Sequence, residues 1–203
     1  MSVTLLIIAI TCTVSFLAFR NGRLLDELLL WPPAISRRHE YYRLVTYGLV
    51  HADFNHLLFN MLTLYFFGRA MEDFYAARLG AAGFVLFYVG ALVVSILPSW
   101  RRHRGDANYR SLGASGAVSA ALFAFILLAP WSTLLVFVIP MPAIVFALIY
   151  VGYSVWMERR GTGNVNHGAH LWGAGYGVLF TVLLEPGVVP HFLDALLHPA
   201  FGR

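Results

Sequence analysis

The sequence predicts an all-α integral membrane protein that contains six transmembrane helices. Of its 203 residues, 59% are hydrophobic and only 12% are charged, whereas a soluble domain has about 25% charged residues. The apolar residues fall into six runs, each close to the roughly 20 residues that span a hydrocarbon core. Most of the surface is therefore expected to face lipid.

The first predicted helix covers residues 3–19. No basic residue precedes its apolar part and no clear cleavage site follows, so we expect a retained helix rather than a secretory signal. A long connection then runs from Arg20 to about Val50 and contains Trp31-Pro32-Pro33. Its many apolar residues predict a structured loop that lies at or dips into the membrane interface.

The other five helices are predicted from the apolar runs and from the prolines and charges that flank them. They cover residues 54–70, 81–97, 112–129, 134–156 and 168–184. Pro98 and Pro130 are expected to end the third and fourth helices, because proline removes a backbone donor. Pro140 and Pro142 lie inside the fifth run. They predict a mobile element or, equally well, a fixed kink or a broken helix start.

No internal repeat or low-complexity tract divides the chain, so residues 1–185 are predicted to form one helical membrane domain. Residues 186–203 form a tail too short to span again, and its apolar stripe predicts a helix lying flat on the membrane. Cys12 is the only cysteine, which excludes an internal disulfide. The 14 basic residues are all arginines and cluster in the connections between apolar runs, which favours headgroup anchoring over nucleic-acid binding.

Small residues predict which helices pack together. In lipid, helices associate through close packing of small side chains. The fourth run carries Gly116 and Ala120 at four-residue spacing, and the sixth carries Gly173 and Gly177 at the same spacing. Each pair lies on one helix face. The simplest packing lays one strip of small residues against the other.

This packing would bring a serine close to a histidine. Ser115 lies beside the first strip, and His170 shares the face of Gly173 and Gly177. The two helices run parallel, so both side chains are expected at similar depth. Polar residues inside a bilayer are costly unless they pair and act together. A purely structural histidine is the alternative, and for this pair alone we weigh it equally.

The second helix adds polar groups at the same depth. His56 and Asn60 are four residues apart and therefore lie on one face, on the side where Ser115 and His170 begin their helices. In isolation such residues more often form hydrogen bonds that hold helices together. Their convergence with a serine and a histidine predicts an acyl-transfer site with a nucleophile, a base and oxyanion donors.

Three sequence blocks contain these polar and small residues. They are His51-Ala-Asp-Phe-Asn-His56-Leu-Leu-Phe-Asn60, Gly113-Ala-Ser115-Gly116 and Ala169-His170-Leu-Trp-Gly173-Ala-Gly-Tyr-Gly177. Together they resemble the rhomboid family of intramembrane serine proteases. They occur in that family's order on the second, fourth and sixth helices, and the resemblance covers about residues 3–184. It implies a rhomboid-like six-helix bundle of the bacterial type. Gly-x-Ser-Gly alone is a weak signal, but the three blocks together are highly specific.

The resemblance also implies roles for individual residues. Ser115 would be the nucleophile and His170 the general base, without an acid, and His56, Asn60 and the backbone N–H of Ser115 would form the oxyanion hole. The positions implied to support this site are His51, Gly113, Gly116, Gly173, Gly177, Arg43 and Glu72. No cofactor and no metal is implied. The implied partners are transmembrane protein substrates and the lipid bilayer.

Two positions depart from the family pattern. Relatives often have Trp-Arg in the first loop, where this chain has Tyr42-Arg43; tyrosine can serve the same interfacial role. Relatives also often carry an aromatic residue four positions after the nucleophile, where this chain has Ser119. Trp172 or an aromatic residue elsewhere must then orient His170.

The arginines conflict with the family's orientation. Eleven arginines lie in the odd-numbered loops and three on the other side, which by the positive-inside rule places the odd loops in the cytoplasm. The resemblance implies the opposite, with the active site opening to the extracytoplasmic side of a bacterial inner membrane. The three blocks are more specific than a charge count, so we expect the family's orientation.

Two other functions fit parts of the sequence. A small metal or ion transporter could use His51, His56, His167 and His170, but a carboxylate or thiolate partner is missing from this cluster. A catalytically inactive relative could bind membrane helices. Such proteins usually lack the serine or the histidine, and this chain has both. Intramembrane proteolysis is therefore the favoured function.

Overall fold

The structure is a computed structural model that describes residues 2–136, 138–161 and 165–199. Within these ranges the chain is mostly helical. The helices are α1 (Val3–Ala18), α2 (Gly22–Leu28), α3 (Pro32–Arg38), α4 (Arg43–Thr46), α5 (Phe54–Thr63), α6 (Arg69–Leu79), α7 (Gly83–Arg102), α8 (Ser115–Leu128), α9 (Ala143–Arg160), α10 (His167–Leu184) and α11 (Val188–Leu197). One antiparallel pair of strands, β1 (Thr133–Val136) and β2 (Ile139–Pro142), interrupts them.

The prediction of an all-α chain is wrong at this pair of strands. The fifth helix was expected over residues 134–156, but α9 begins only at Ala143, and the preceding residues form the hairpin. Pro140 and Pro142 cannot donate helical hydrogen bonds, and they lie on a two-stranded ladder whose other side is unpaired. The broken helix start is therefore the alternative that the structure contains. Position 137 of the predicted segment lies outside the described residues.

The expected end of the third helix at Pro98 is also wrong. Helix α7 continues through Pro98 to Arg102. Pro98 removes one backbone donor without ending the helix, because tertiary contacts hold the flanking turns. Ser95 and Ile96 are fully buried just before it, and Trp100 after it donates to the Oγ of Ser36.

The long first connection is structured, as predicted. It contains α2, α3, α4 and a 3-10 turn at Tyr47–Leu49. An isolated bridge joins Leu30 to Ser111, and the indole of Trp31 donates to the carbonyl of Ala107. These contacts attach the connection to the loop before α8.

The helix predicted over residues 54–70 extends to Leu79. A five-residue π-helical stretch, Leu64–Gly68, joins α5 to α6 without a break. A Cβ atom at Gly68 would lie 3.1 Å from the Cγ2 atom of Thr4 in α1. This close approach packs the π-helical stretch against the first helix.

Helix α8 is the centre of the protein. Eleven of its 14 residues are buried, and it packs against α7, α10 and the π-helical stretch. In contrast, the buried residues of α9 are Ala143, Ala147 and Ser154. Helix α9 therefore lies at the periphery, beside a core built around α8.

One described helix, Gly83–Arg102, is long and apolar enough by itself to cross a membrane. The pair His167–Leu184 and Val188–Leu197 passes the same test together, but the chain bends by 113° between them. Val3–Ala18 and Ser115–Leu128 are apolar but shorter. The count of six transmembrane helices stays a prediction.

The C-terminal tail folds back on the core instead of continuing α10. The indole Nε1 of Trp131 donates to the carbonyl of Ala195, and His191 Nε2 lies 2.9 Å from the carbonyl oxygen of Leu128. Helix α11 thereby packs against the C-terminal end of α8. Residues 200–203 of the predicted tail lie outside the described residues.

Candidate active site

Ser115 is the first residue of α8, and a tight turn precedes it. Gly113 has a φ of +108°, which side chains rarely adopt, and a Cβ atom there would lie 2.6 Å from the ring of His56. Glycine is therefore required at this position for two reasons. The first N–H groups of a helix have no acceptor within it, so the N–H of Ser115 is available to a ligand.

Two buried residues fix the turn from behind. Tyr47 accepts a hydrogen bond from the Gly113 N–H through its backbone carbonyl, at 2.9 Å. His51 accepts one from the Ala114 N–H through Nε2, at 3.3 Å. Both are almost fully buried. The structure thus places His51 behind the turn that carries Ser115.

The predicted strips of small residues do meet. A Cβ atom at Gly173 would clash with the backbone carbonyl of Gly116, and one at Gly177 would clash with that of Ala120. The backbones of α8 and α10 therefore approach too closely for any side chain at the two glycines. A Cβ atom at Gly116 would in turn clash with the hydroxyl of Ser95 in α7.

This close packing brings His170 opposite Ser115. His170 is in the first turn of α10, and its Nε2 atom lies 2.8 Å from the Oγ of Ser115. Both side chains are half-buried. The distance is that of a hydrogen bond, and it is the geometry in which an imidazole can take a hydroxyl proton.

The start of α10 is held by Asn166. Its Oδ1 accepts from the N–H of Ala169 at 2.9 Å, and its Nδ2 donates to Ser99 and Tyr109. This N-cap links the first turn of α10 to α7 and to the loop before α8. Sequence reasoning missed Asn166, although an asparagine before an apolar run is an N-cap signal.

The face of the imidazole is covered by Tyr150 of α9. The two rings are stacked, with centroids 6.0 Å apart and planes inclined by 22°. The Oη of Tyr150 lies 2.6 Å from the Oγ of Ser119. Trp172, the other suggested support, is 55% exposed. The aromatic neighbour of His170 therefore comes from a different helix, and no local sequence pattern identifies Tyr150.

His56 and Asn60 lie on one face of α5 as predicted, but they differ in their relation to Ser115. The His56 ring lies against Gly113, two residues before Ser115. Asn60 is buried, and its Nδ2 donates to the carbonyl of His56 at 2.9 Å. Among the described residues, no hydrogen bond joins Asn60 to Ser115.

Arg43 and Glu72 lie away from the Ser115–His170 pair. Arg43 is 5% exposed and holds the first connection, because its Nη1 donates to the carbonyls of Asp26 and Leu29. Glu72 accepts from the N–H groups of Val3 and Thr4 at the start of α1, at 2.6 and 2.9 Å. Both contacts tie separate parts of the chain together.

In the part of the chain that the structure describes, no group of three histidine, cysteine or acidic side chains is placed to hold a metal ion. His51 and His56 have ring centroids 4.9 Å apart, and His167 and His170 have centroids 5.7 Å apart. The hydrogen bonds of His51 and His170 go to backbone and serine atoms.

Comparison with known proteins agrees with this arrangement. The profile of the rhomboid domain matches residues 38–186. RHOMBOID-like protein 12, a mitochondrial protein of Arabidopsis thaliana, is 30% identical over 158 residues, which are 72% of this chain and 47% of that protein. Rhomboid protein 1, a mitochondrial protein of Saccharomyces cerevisiae, is 35% identical over 135 residues, which are 64% of this chain and 38% of that protein.

A bacterial relative is similar over a greater share of its length. The Bacillus subtilis rhomboid protein YdcA is 29% identical over 144 residues, which are 71% of this chain and 67% of YdcA. The chain spans about half or less of the length of the two mitochondrial relatives. The domain match covers most of the chain and includes Ser115 and His170. The chain is therefore a member of the rhomboid family.

Proposed function

We propose that this protein is an intramembrane serine endopeptidase that cleaves other membrane proteins in or near their transmembrane segments. The observation that carries the proposal is the 2.8 Å distance between Ser115 Oγ and His170 Nε2. Membership of a membrane-embedded protease family supports it, as does the placement of this pair at the N-terminal ends of two packed helices.

The proposed reaction uses the pair as nucleophile and base. The Oγ of Ser115 attacks the carbonyl carbon of the scissile peptide bond while His170 Nε2 takes the hydroxyl proton. The same nitrogen then donates that proton to the leaving amine. Water then attacks the acyl-enzyme. His170 Nε2 takes a proton from this water and gives it to the Oγ of Ser115, which regenerates both side chains. No acid is proposed, so the pair acts as a dyad.

The proposed oxyanion site lies at the start of α8. The free N–H of Ser115 and the positive end of the helix dipole favour negative charge there. The ring of His56 lies beside the preceding turn and is the second proposed donor. Asn60 is the third, because its Nδ2 uses one N–H on the carbonyl of His56 and has a second N–H to donate. The oxyanion of the tetrahedral intermediate would supply the acceptor for these donors.

The domain is proposed to be a six-helix bundle in the membrane, formed by residues 1–185, with residues 186–203 as an interfacial tail. The six proposed spans are α1, the continuous α5–α6 helix, α7, α8, α9 and α10. Their outward side chains support this, since Leu148 of α9 and Leu183 of α10 are more than 70% exposed. Lipid would cover such apolar surfaces at no hydrophobic cost.

The site is proposed to open to the extracytoplasmic side, in the orientation typical of the family. Reporters attached to the N-terminus and to the loop at Arg104 test this. We expect the N-terminus in the cytoplasm and Arg104 outside it. An N-terminus outside the cytoplasm would overturn the proposed orientation, and the arginine distribution would then follow the positive-inside rule.

Active-site labelling tests the proposed activity. The purified protein is treated with a fluorescent fluorophosphonate, and the modified peptide is located by mass spectrometry. We expect modification of Ser115 and cleavage of a transmembrane test substrate, both abolished in S115A and H170A. S132A is the control, because Ser132 follows the C-terminal end of α8, whereas Ser115 begins that helix. A wild-type protein that neither labels nor cleaves would overturn the proposal and favour an inactive helix-binding relative.

A further inference from the structure

Tyr150 on α9 is the aromatic neighbour of the proposed base. We propose that Tyr150 is a positioning residue for His170 and makes the alignment of the imidazole depend on the place of α9. The inference rests on the proposed serine protease function. It adds a residue on a fourth helix, α9, to a site that otherwise consists of side chains from α5, α8 and α10.

The imidazole has little else to fix its plane. Its Nε2 meets Ser115, and among residues 2–136, 138–161 and 165–199 its Nδ1 has no hydrogen-bond partner. Hydrolases with a third residue use an acid at this nitrogen to hold the ring. Here the ring of Tyr150 lies nearly parallel to the imidazole, and His167 approaches with an edge-to-face geometry of 74°. Stacking therefore takes the place of an acid in setting the ring plane.

Ser119 holds the tyrosine in that place. It lies one helical turn after Ser115 on α8 and is 4% exposed. Its hydroxyl and that of Tyr150 are 2.6 Å apart, so each satisfies the other in a buried setting. A buried hydroxyl without a partner is costly. The pair thus favours one position of Tyr150 relative to the helix that carries Ser115.

The remaining contacts of Tyr150 are apolar. Phe123 of α8 and Phe146 of α9 have ring centroids 5.5 and 5.6 Å from that of Tyr150. Both rings pack against the phenol, and neither is among the ring contacts of His170 in the described residues. F146L is therefore suited to a control, because leucine keeps an apolar side chain beside Tyr150 and changes neither the ring on His170 nor the hydroxyl pair with Ser119.

Helix α9 is the peripheral helix of the core. It begins after Pro142, and its buried residues are Ala143, Ala147 and Ser154. Any outward shift of α9 would carry Tyr150 away from His170 and break its bond to Ser119. The base is then aligned only while α9 lies against α8 and α10. Activation of Ser115 is thereby coupled to the position of α9.

The first experiment measures kcat and KM for cleavage of a transmembrane test substrate, beside the rate of fluorophosphonate labelling at Ser115. We expect Y150L to lower kcat and the labelling rate by about 10- to 100-fold, with KM unchanged. F146L should change both by less than about 3-fold. Y150F and S119A should each cost about 3- to 10-fold, and the double variant no more than either alone.

The second experiment does not depend on activity. The ring resonances of His170 are recorded by NMR in detergent, using histidine-labelled protein that carries S115A. We expect Y150L to shift and broaden them and F146L to leave them in place. Additive effects of Y150F and S119A, or unmoved His170 resonances in Y150L, would overturn the inference.

The two proposals fail in different ways. If the wild-type protein labels at Ser115 and Y150L labels at the same rate, the positioning role is wrong and the protease function stands. If the wild-type protein does not label at all, the function is wrong, and the NMR result alone decides whether Tyr150 orients His170. Should Y150L fail to fold, Y150F and S119A carry the kinetic test.

Discussion

His51 Nε2 accepts a hydrogen bond from the backbone N–H of Ala114, the residue immediately before Ser115. The other ring nitrogen, Nδ1, lies 3.0 Å from the Oγ of Ser15. The Ser15 hydroxyl donates to the carbonyl of Leu49, so Nδ1 must carry the proton and donate to Ser15. The neutral ring thus connects α1, through a defined tautomer, to the turn that presents Ser115.

The first prediction concerns this histidine. H51A leaves the Ala114 N–H and the Ser15 hydroxyl with one fewer partner in a buried setting. We expect it to lower the free energy of unfolding by about 1–3 kcal/mol and to slow the labelling of Ser115. Thermal unfolding in detergent and labelling kinetics measure the two effects. H198A, in the exposed tail, is the control, and equal behaviour of the two variants would contradict the supporting role.

The second prediction concerns the contact between α8 and α10. A methyl group at Gly177 would clash with the backbone carbonyl of Ala120, whereas one at Gly175 would meet nothing within 4 Å. We therefore expect G177A to destabilise the protein by about 1–3 kcal/mol or more. G175A should be neutral or slightly stabilising, because alanine favours the helix. Thermal unfolding compares them, and a G177A protein as stable as G175A would exclude the close approach.

The third prediction concerns Glu72, whose carboxylate accepts from Ser2 Oγ and from the Val3 and Thr4 N–H groups. This side chain of α6 caps α1. We expect E72Q to lower the melting temperature, because an amide replaces one acceptor with a donor and removes the charge from bonds to the helix start. D73N, at the exposed neighbouring position, should have little effect. Faster proteolysis near the N-terminus of E72Q would detect the release of α1. A rate equal to that of the wild-type protein would contradict the capping role.

The fourth prediction concerns pH. The Arg43 guanidinium donates to Glu40, and this hydrogen bond holds the pKa of the Glu40 carboxyl below its usual value. A lowered folded-state pKa adds stability above the unfolded pKa, and that stability is lost as the pH falls through the folded pKa.

We therefore expect E40Q to be less stable than the wild-type protein at pH 7. The difference should narrow as the pH falls below about 4, the ordinary pKa of a carboxyl group, and should vanish once the pH is below the lowered folded-state pKa of Glu40. Melting temperatures across this range measure it. The matched variant E27Q alters an exposed i,i+4 pair with Arg23 and should cost little at any pH. A constant difference between E40Q and wild type would show that the charge of Glu40 is not involved.

The sequence by itself determined the residues of the candidate site and the helices that bring them together. Four-residue spacing places Gly173 and Gly177 on one face wherever α10 lies, because helix periodicity is a local property. The same reasoning predicted that Ser115 and His170 would meet, and their atoms lie 2.8 Å apart. The structured first connection could also be predicted, since its apolar residues need to be covered.

Only the tertiary structure decided which side chains surround that pair. Tyr150 reaches His170 because α9 packs against α8 and α10. Local periodicity does not predict this packing, because it joins segments that are far apart in the chain. Likewise, the sequence shows only that Ser119 stands where relatives often carry an aromatic residue. In the fold its hydroxyl lies 2.6 Å from that of Tyr150, whose ring packs on the imidazole of His170.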